Sequence, residues 1–188
     1  MPIYGPGNFG AISNDAAVGT VAWTNPSFAQ TEDGAGAQAG NIASGDRYSQ
    51  YLKAVNANPG IAEGETPTRL KLRIKRQAGA LGQVDDHVLQ LVVAGVVSGN
   101  NKAATGVFWP AGGPYAYAEY DYSVEEWGVT PTVAQLNAAD FGVALQANLF
   151  STAPDKSVTG DVDHIEWTIT TDPAPPAVPS FVPRVRVI

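Results

Sequence analysis

The chain has 188 residues, no cysteine, and 11 Lys and Arg against 18 Asp and Glu, a net charge of −7. That length can bury a sizeable core and points to one domain. The acidic balance speaks against a nucleic-acid partner held by phosphate contacts, and the missing cysteines exclude a disulfide framework, a thiolate metal site and a cysteine nucleophile. Only 15% of residues are charged, below the roughly 25% of an average soluble domain, which suits a subunit whose surface is partly covered by neighbours.

Residues 1–14 set Ile3, Tyr4 and Phe9 among two prolines and three glycines, and read as an irregular N-terminal arm. The opening MPIYGPGNFG lacks the charged-then-apolar plan of a signal peptide, and no apolar run nears the roughly 20 residues that span a bilayer. The expectation is a protein neither exported nor membrane-bound.

From 15 to 171 short alternating runs are broken by turn residues, the pattern of strands. VGTVAWT (18–24) and YSQYLKAV (48–55) are the first two. The clearest is RLKLRIKR (69–76), with Leu70, Leu72 and Ile74 on one face and the basic row Arg69, Lys71, Arg73 and Lys75 on the other, a half-buried strand by its period of two. That row is either a solvated face that deters edge pairing or a subunit-contact patch for an acidic partner, such as a second copy of this acidic chain. VDDHVLQLVVAG (84–95) turns apolar on both faces, as a central strand would. PYAYAEYDYS (114–123) alternates tyrosines. TPTVAQLNAADF (130–141) carries the one helix signal, with Pro131 at the first helical position. FGVALQANLF (141–150) and VDHIEWTITT (162–171) complete the set. Seven or eight short strands with Gly-rich connections predict an all-β fold, a jelly-roll-like antiparallel β-sandwich with one short helix.

Residues 172–188 form a third segment, a proline-rich spacer followed by SFVPRVRVI, in which Val185 and Val187 alternate with Arg184 and Arg186. A proline spacer is already extended.

Catalytic patterns are missing. His87 and His164 each sit in a strand beside acids, without the partners that zinc or a nucleophile–base pair requires, and read as hydrogen-bonded strand histidines. Glu125/Glu126 and Asp161/Asp163 read as solvated turn carboxylates rather than an acid–base pair or a calcium site. The expectation is a protein that is no enzyme and holds no metal or cofactor. Of the four tryptophans, Trp167 alternates with Ile165 and Ile169 and belongs to the core. Trp109 and Trp127 lie in loops, where they either stack on a ligand such as a sugar ring or anchor the loop on the sandwich.

Several segments taken together, GTVAWTNPSFAQTED, YLKA, a strand ending IKRQA, then GNNKA, WP, EEWG, LNAADFGVAL and VDHIEWTIT, resemble a β-sandwich domain of tailed-bacteriophage virion proteins over about residues 18–171. The resemblance implies a structural role with no catalytic residues. Added to the two arms, it is most like a capsid decoration (cement) protein, which implies a homotrimer on the capsid surface of the virion, assembled in the host cytoplasm and bound to the major capsid protein. On that reading Phe181, Val182, Arg184, Val185, Arg186, Val187 and Ile188, with Ile3, Tyr4 and Phe9, form the partner-binding arms, the distal strand adding to an exposed sheet edge. The alternative is a carbohydrate- or receptor-binding module of a tail fibre or tail tip.

Overall fold

A computed structural model describes residues 1–41, 45–151 and 156–176. It is an antiparallel β-sandwich of two sheets. In sheet A, β10 (Ala116–Ser123) lies at one edge, followed by β7 (Thr66–Ala78), β12 (Val158–Asp172), β4 (Ala37–Asn41) and β3 (Trp23–Thr24). In sheet B the order is β2 (Ala11–Asp15), β6 (Tyr51–Val55), β11 (Gly142–Ser151), β8 (Gln83–Val93) and β9 (Val96–Ser98).

Each sheet is organised around one long strand that holds two short partners on a single side. β12 pairs with β7 along one flank, while its other flank takes β4 at 158–162 and β1 (Ile3–Asn8) at 166–170. β11 likewise pairs with β8 on one flank and, on the other, with β6 at 142–145 and β5 (Gly45–Tyr48) at 148–151.

Alternation decides which face is buried. Along β7, Leu70, Leu72 and Ile74 are buried and the basic row points outward, as its period of two predicts. Val143, Leu145, Ala147 and Leu149 of β11 face them from sheet B in the same core, joined by Ile165, Trp167 and Ile169 of β12. The outer face of sheet B has a smaller apolar cluster, in which Tyr51, Val92 and Ala144 are covered by Val18, Val55, Val88 and Val97.

Three readings of the sequence change. Residues 1–14 are no arm: Ile3–Asn8 joins sheet A, Ala11–Asp15 joins sheet B, and Phe9 is buried between them. The glycines and prolines that suggested irregularity are accommodated because β1 is an edge strand with a register shift between Tyr4 and Gly7. The run 18–24 contributes only Trp23–Thr24 as strand, with Val21 in a single bridge to Ser49. The helix is one turn, Val133–Leu136, capped by Thr132 rather than begun at Pro131. It stops because the Asn137 side chain is engaged by the Ile61 backbone, accepting from its N–H and donating to its carbonyl at 2.9 Å each, while the chain turns into β11. The segment 177–188 lies outside the described residues, and with it Phe181, Val182, Arg184, Val185, Arg186, Val187 and Ile188.

β6 and β11 approach closely at Gly142, where a Cβ would stand 1.9 Å from the Ala54 carbonyl oxygen. Gly142→Ala is expected to force the two strands apart and cost about 3 kcal/mol or more, read as a lower urea midpoint. Gly40→Ala, whose Cβ would meet nothing closer than 3.7 Å, should stay within about 1 kcal/mol of the parent.

Candidate functional site

Two groups of polar side chains stand out, one inside the sandwich and one on the outer face of sheet A. The inner one follows from β7's own alternation. Arg76 has the same parity as Leu70, Leu72 and Ile74, so its guanidinium enters the core, where the residue is 4% exposed. It meets Asp86 of β8, which is fully buried, in an ion pair that crosses from sheet A to sheet B. Tyr120 of β10 donates to the same carboxylate and accepts from Arg76 Nη1 at 2.6 Å. Trp109 Nε1 donates to Asp86 Oδ1 at 2.9 Å, and the Ala104 N–H to Oδ2 at 3.3 Å. The guanidinium also lies 5.0 Å from the Trp109 ring centre. Burial, followed by the charge of Asp86, pushes the Tyr120 hydroxyl pKa well above its ordinary value, so it is a fixed donor.

This arrangement answers the question of the loop tryptophans. Trp109 is 2% exposed and Trp127 is fully buried, so neither presents a ring to a ligand, and the stacking reading of both is corrected. Trp109 pins the segment 99–115 to β8, its backbone N–H donating to Val84 O at 2.8 Å as its indole reaches Asp86. Trp127 donates from Nε1 to Leu70 O at 3.2 Å and meets Tyr122 edge to face. The loops carry large aromatics because each must replace, with buried area and one hydrogen bond, the ladder that a strand would have had.

The outer group surrounds the basic row. Arg69 pairs with Asp121 at 2.5 Å, Lys71 with Glu119 at 2.7 Å, Arg73 with Glu119 at 3.2 Å and Glu166 at 2.5 Å, and Lys75 with Glu32 and Asp163 at 2.8 Å each. The register explains these pairs, because Arg73 lies between Glu119 and Glu166 on the flanking strands. The guanidinium of Arg73 also covers the Tyr117 ring at 3.9 Å. The row is therefore not a free cationic patch awaiting an acidic partner; acids of the same chain already meet all four cations.

His164 is buried within this lattice. Its Nδ1 is 3.1 Å from the Tyr117 hydroxyl and its Nε2 2.9 Å from Asn8 Oδ1, as expected of a hydrogen-bonded strand histidine. His87 instead stacks on Tyr48, with ring centres 4.1 Å apart. Of the paired carboxylates, Glu126 accepts from the Ser123 N–H and Asp161 from Gln38, while Asp163, buried in β12 rather than solvated on a turn, accepts from the Gly34 N–H. Of the residues assigned to the N-terminal arm, Ile3 is exposed, Tyr4 is half-buried and donates to Glu65 at 3.0 Å, and Phe9 is in the core and beyond reach of any partner.

No protein-family model matches the chain, and no curated protein matches it.

The electrostatics describe what such a lattice can do. A general acid or base works best with a pKa near the operating pH. Here hydrogen bonds from Lys75 and Lys71 hold the Glu32 and Glu119 carboxyls below their ordinary range, and bonding to Asp163 and Glu32 raises Lys75. Burial lifts Tyr117 to about 12. These groups are driven away from neutrality, which fixes charge rather than exchanges protons. Asp161 moves the other way, raised by burial, with Gln38 as its hydrogen-bond partner. Among the described residues no cluster of three or more His, Asp or Glu is placed to hold a metal ion. An open cleft of about 450 Å³ on sheet B is lined by Asp15, Lys53 and Asp140 among others, but Lys53 is occupied there by the Gly95 carbonyl at 2.9 Å and by Asp15.

Two outcomes follow. Asp86→Ala leaves Arg76 buried without its anion and should destabilise the fold by about 3–5 kcal/mol, seen in urea unfolding. The Tyr117 hydroxyl stays protonated in the native state up to about 12, whereas an unfolded tyrosine ionises near 10; the stability this group contributes should therefore be constant below pH 10 and be lost between pH 10 and about 12. Tyr117→Phe should make that alkaline fall shallower when urea midpoints are measured from pH 9 to 12.

Proposed function

We propose that the protein is a non-enzymatic structural subunit of a tailed-phage virion, which decorates the capsid by binding the outer surface of the major capsid protein lattice as a homotrimer. The observation that carries this reading is where the chain leaves the sandwich. β12 ends at Asp172 at one end of sheet A, Asp172 to Pro176 are all exposed, and the Thr171 N–H donates to the Pro2 carbonyl at 3.0 Å. The start of the chain and the end of β12 thus lie side by side at one end of the sandwich, with residues 172–176 exposed there. Supporting it are the resemblance over 18–171 and the saturated ionic lattice, whose groups are tuned for fixed charge. A docking arm that starts extended loses little conformational freedom on binding, and repetition over a lattice multiplies a weak contact.

The carbohydrate- or receptor-binding alternative, which drew on Trp109 or Trp127 together with the tyrosines of 115–122, loses its two tryptophans, since both are buried.

The test is co-sedimentation with shells assembled from the major capsid protein. The full chain should pellet with the shells, and the chain lacking residues 173–188 should remain folded by circular dichroism yet stay in the supernatant. Undiminished pelleting of the truncated chain would overturn the role given to the arm, and failure of the full chain to pellet would overturn the capsid reading itself.

A further inference from the structure

The outer face of sheet A is striped by charge. β7 supplies a row of cations, and β10 beside it supplies a row of anions, Glu119 and Asp121, continued by Tyr117. On the inner side β10 presents Tyr120 to the core, with Ala118 and Tyr122 packed against it. Among the described residues no strand follows β10. An eight-residue edge therefore keeps a line of backbone donors and acceptors without a partner strand. Its two carboxylates are 50% and 39% exposed, and each carboxylate oxygen can accept more than one hydrogen bond.

A strand that completed this edge would need cations on its outward face, small apolar residues on its inward face, and a period of two between them. Residues 184–187 have that pattern: antiparallel to β10, Arg184 would lie opposite Asp121 and Arg186 opposite Glu119, extending the stripes as a second cation row, and Val185 and Val187 would lie beside Tyr120 and Ala118. Pro183 is compatible with an outermost strand, the place in a sheet where a missing N–H is tolerated.

The course of the chain points to a neighbour as the acceptor. β12 runs straight past its last ladder pair, Thr66 with Asp172, so that Ala174 lies beside Gly64, its Cβ 3.1 Å from where a Gly64 Cβ would be. Four prolines then fall between 173 and 179. An extended polyproline segment of that length would span about 20 Å, enough to reach a neighbouring copy. We propose that residues 180–188 of one copy pair with β10 of a second copy, extending its sheet A and joining copies head to tail. Such a contact uses two different surfaces and closes into a ring where the rotation permits. The inference takes up the arm of the capsid reading but needs no capsid, so the two can fail separately.

The chain has no cysteine, so single cysteines report proximity without background. Full-length Asp121→Cys and Arg184→Cys, mixed in equal amounts and oxidised with glutathione disulfide, should form a covalent heterodimer. Arg184→Cys mixed with Asp46→Cys, an exposed site on β5 in the other sheet, should give roughly tenfold less, because only a docked arm raises the local thiol concentration. Light scattering on the full-length protein should give a multiple of 19.6 kDa, and should fall to the single-chain mass both for the chain lacking 177–188 and for Glu119→Gln/Asp121→Asn, with the circular dichroism of each unchanged. Equal yields at the β5 site and the β10 site would overturn the proposal. So would a monomer at every concentration, or an intrachain disulfide in monomeric Asp121→Cys/Arg184→Cys, which would assign the arm to its own sheet. Loss of shell binding with self-association intact would overturn the capsid reading and leave this one standing.

Discussion

A charge pair in the middle of an apolar core constrains everything around it. Burying Arg76 or Asp86 alone would be prohibitive, so the two must meet, and they come from different sheets. Their contact fixes how β7 lies over β8. Arg76 faces Asp86, Tyr120 ties β10 to the pair, and Trp109 ties in the long segment between β9 and β10. An apolar replacement of similar size would not have to be less stable. What the ionic version adds is a penalty on wrong registers, since any slip of one sheet against the other strands a charge in hydrocarbon.

The two faces of sheet A handle charge in opposite ways. Inside, a single carboxylate, Asp86, accepts from four separate donors. Outside, cations and acids alternate across strands, so that Arg73 is shared between Glu119 and Glu166, and Lys75 between Glu32 and Asp163. Exposed pairs of this kind contribute little each. Their value lies in geometry, because bonding on both flanks orients side chains that would otherwise be mobile and places Tyr117 and His164 in one arrangement.

Strands whose faces differ in polarity were legible in the sequence. RLKLRIKR and VDHIEWTITT sit within β7 and β12, and FGVALQANLF enters β11 from Gly142 on, with the expected sides buried. The ion pair was legible in half: the parity that put Leu70 inward also puts Arg76 inward, but Asp86 is separated from the inward Leu89 by a register shift opposite Gln146 and Ala147, and a bulge breaks the count of two. What could not be read depends on distant partners. Trp109 and Trp127 sit in loops with no periodicity, and their burial is decided by Asp86 and Leu70, each more than 20 residues away in sequence. The first 14 residues look irregular because prolines and glycines mark their local preferences, while their strand pairing comes wholly from β12 and β6.

That pairing gives the opening residues a protective function. β1 covers the flank of β12 between Glu166 and Thr170, and Gly7 lies against the Trp167 ring so closely that a Cβ there would touch it at 2.4 Å. Were these first eight residues clipped by a protease, the second flank of the sheet's longest strand would be bared together with one side of an indole, next to the point where the arm departs. A bare strand flank of that kind offers unpaired backbone groups to other chains without selectivity, so a few unassuming residues guard the sheet against aggregation.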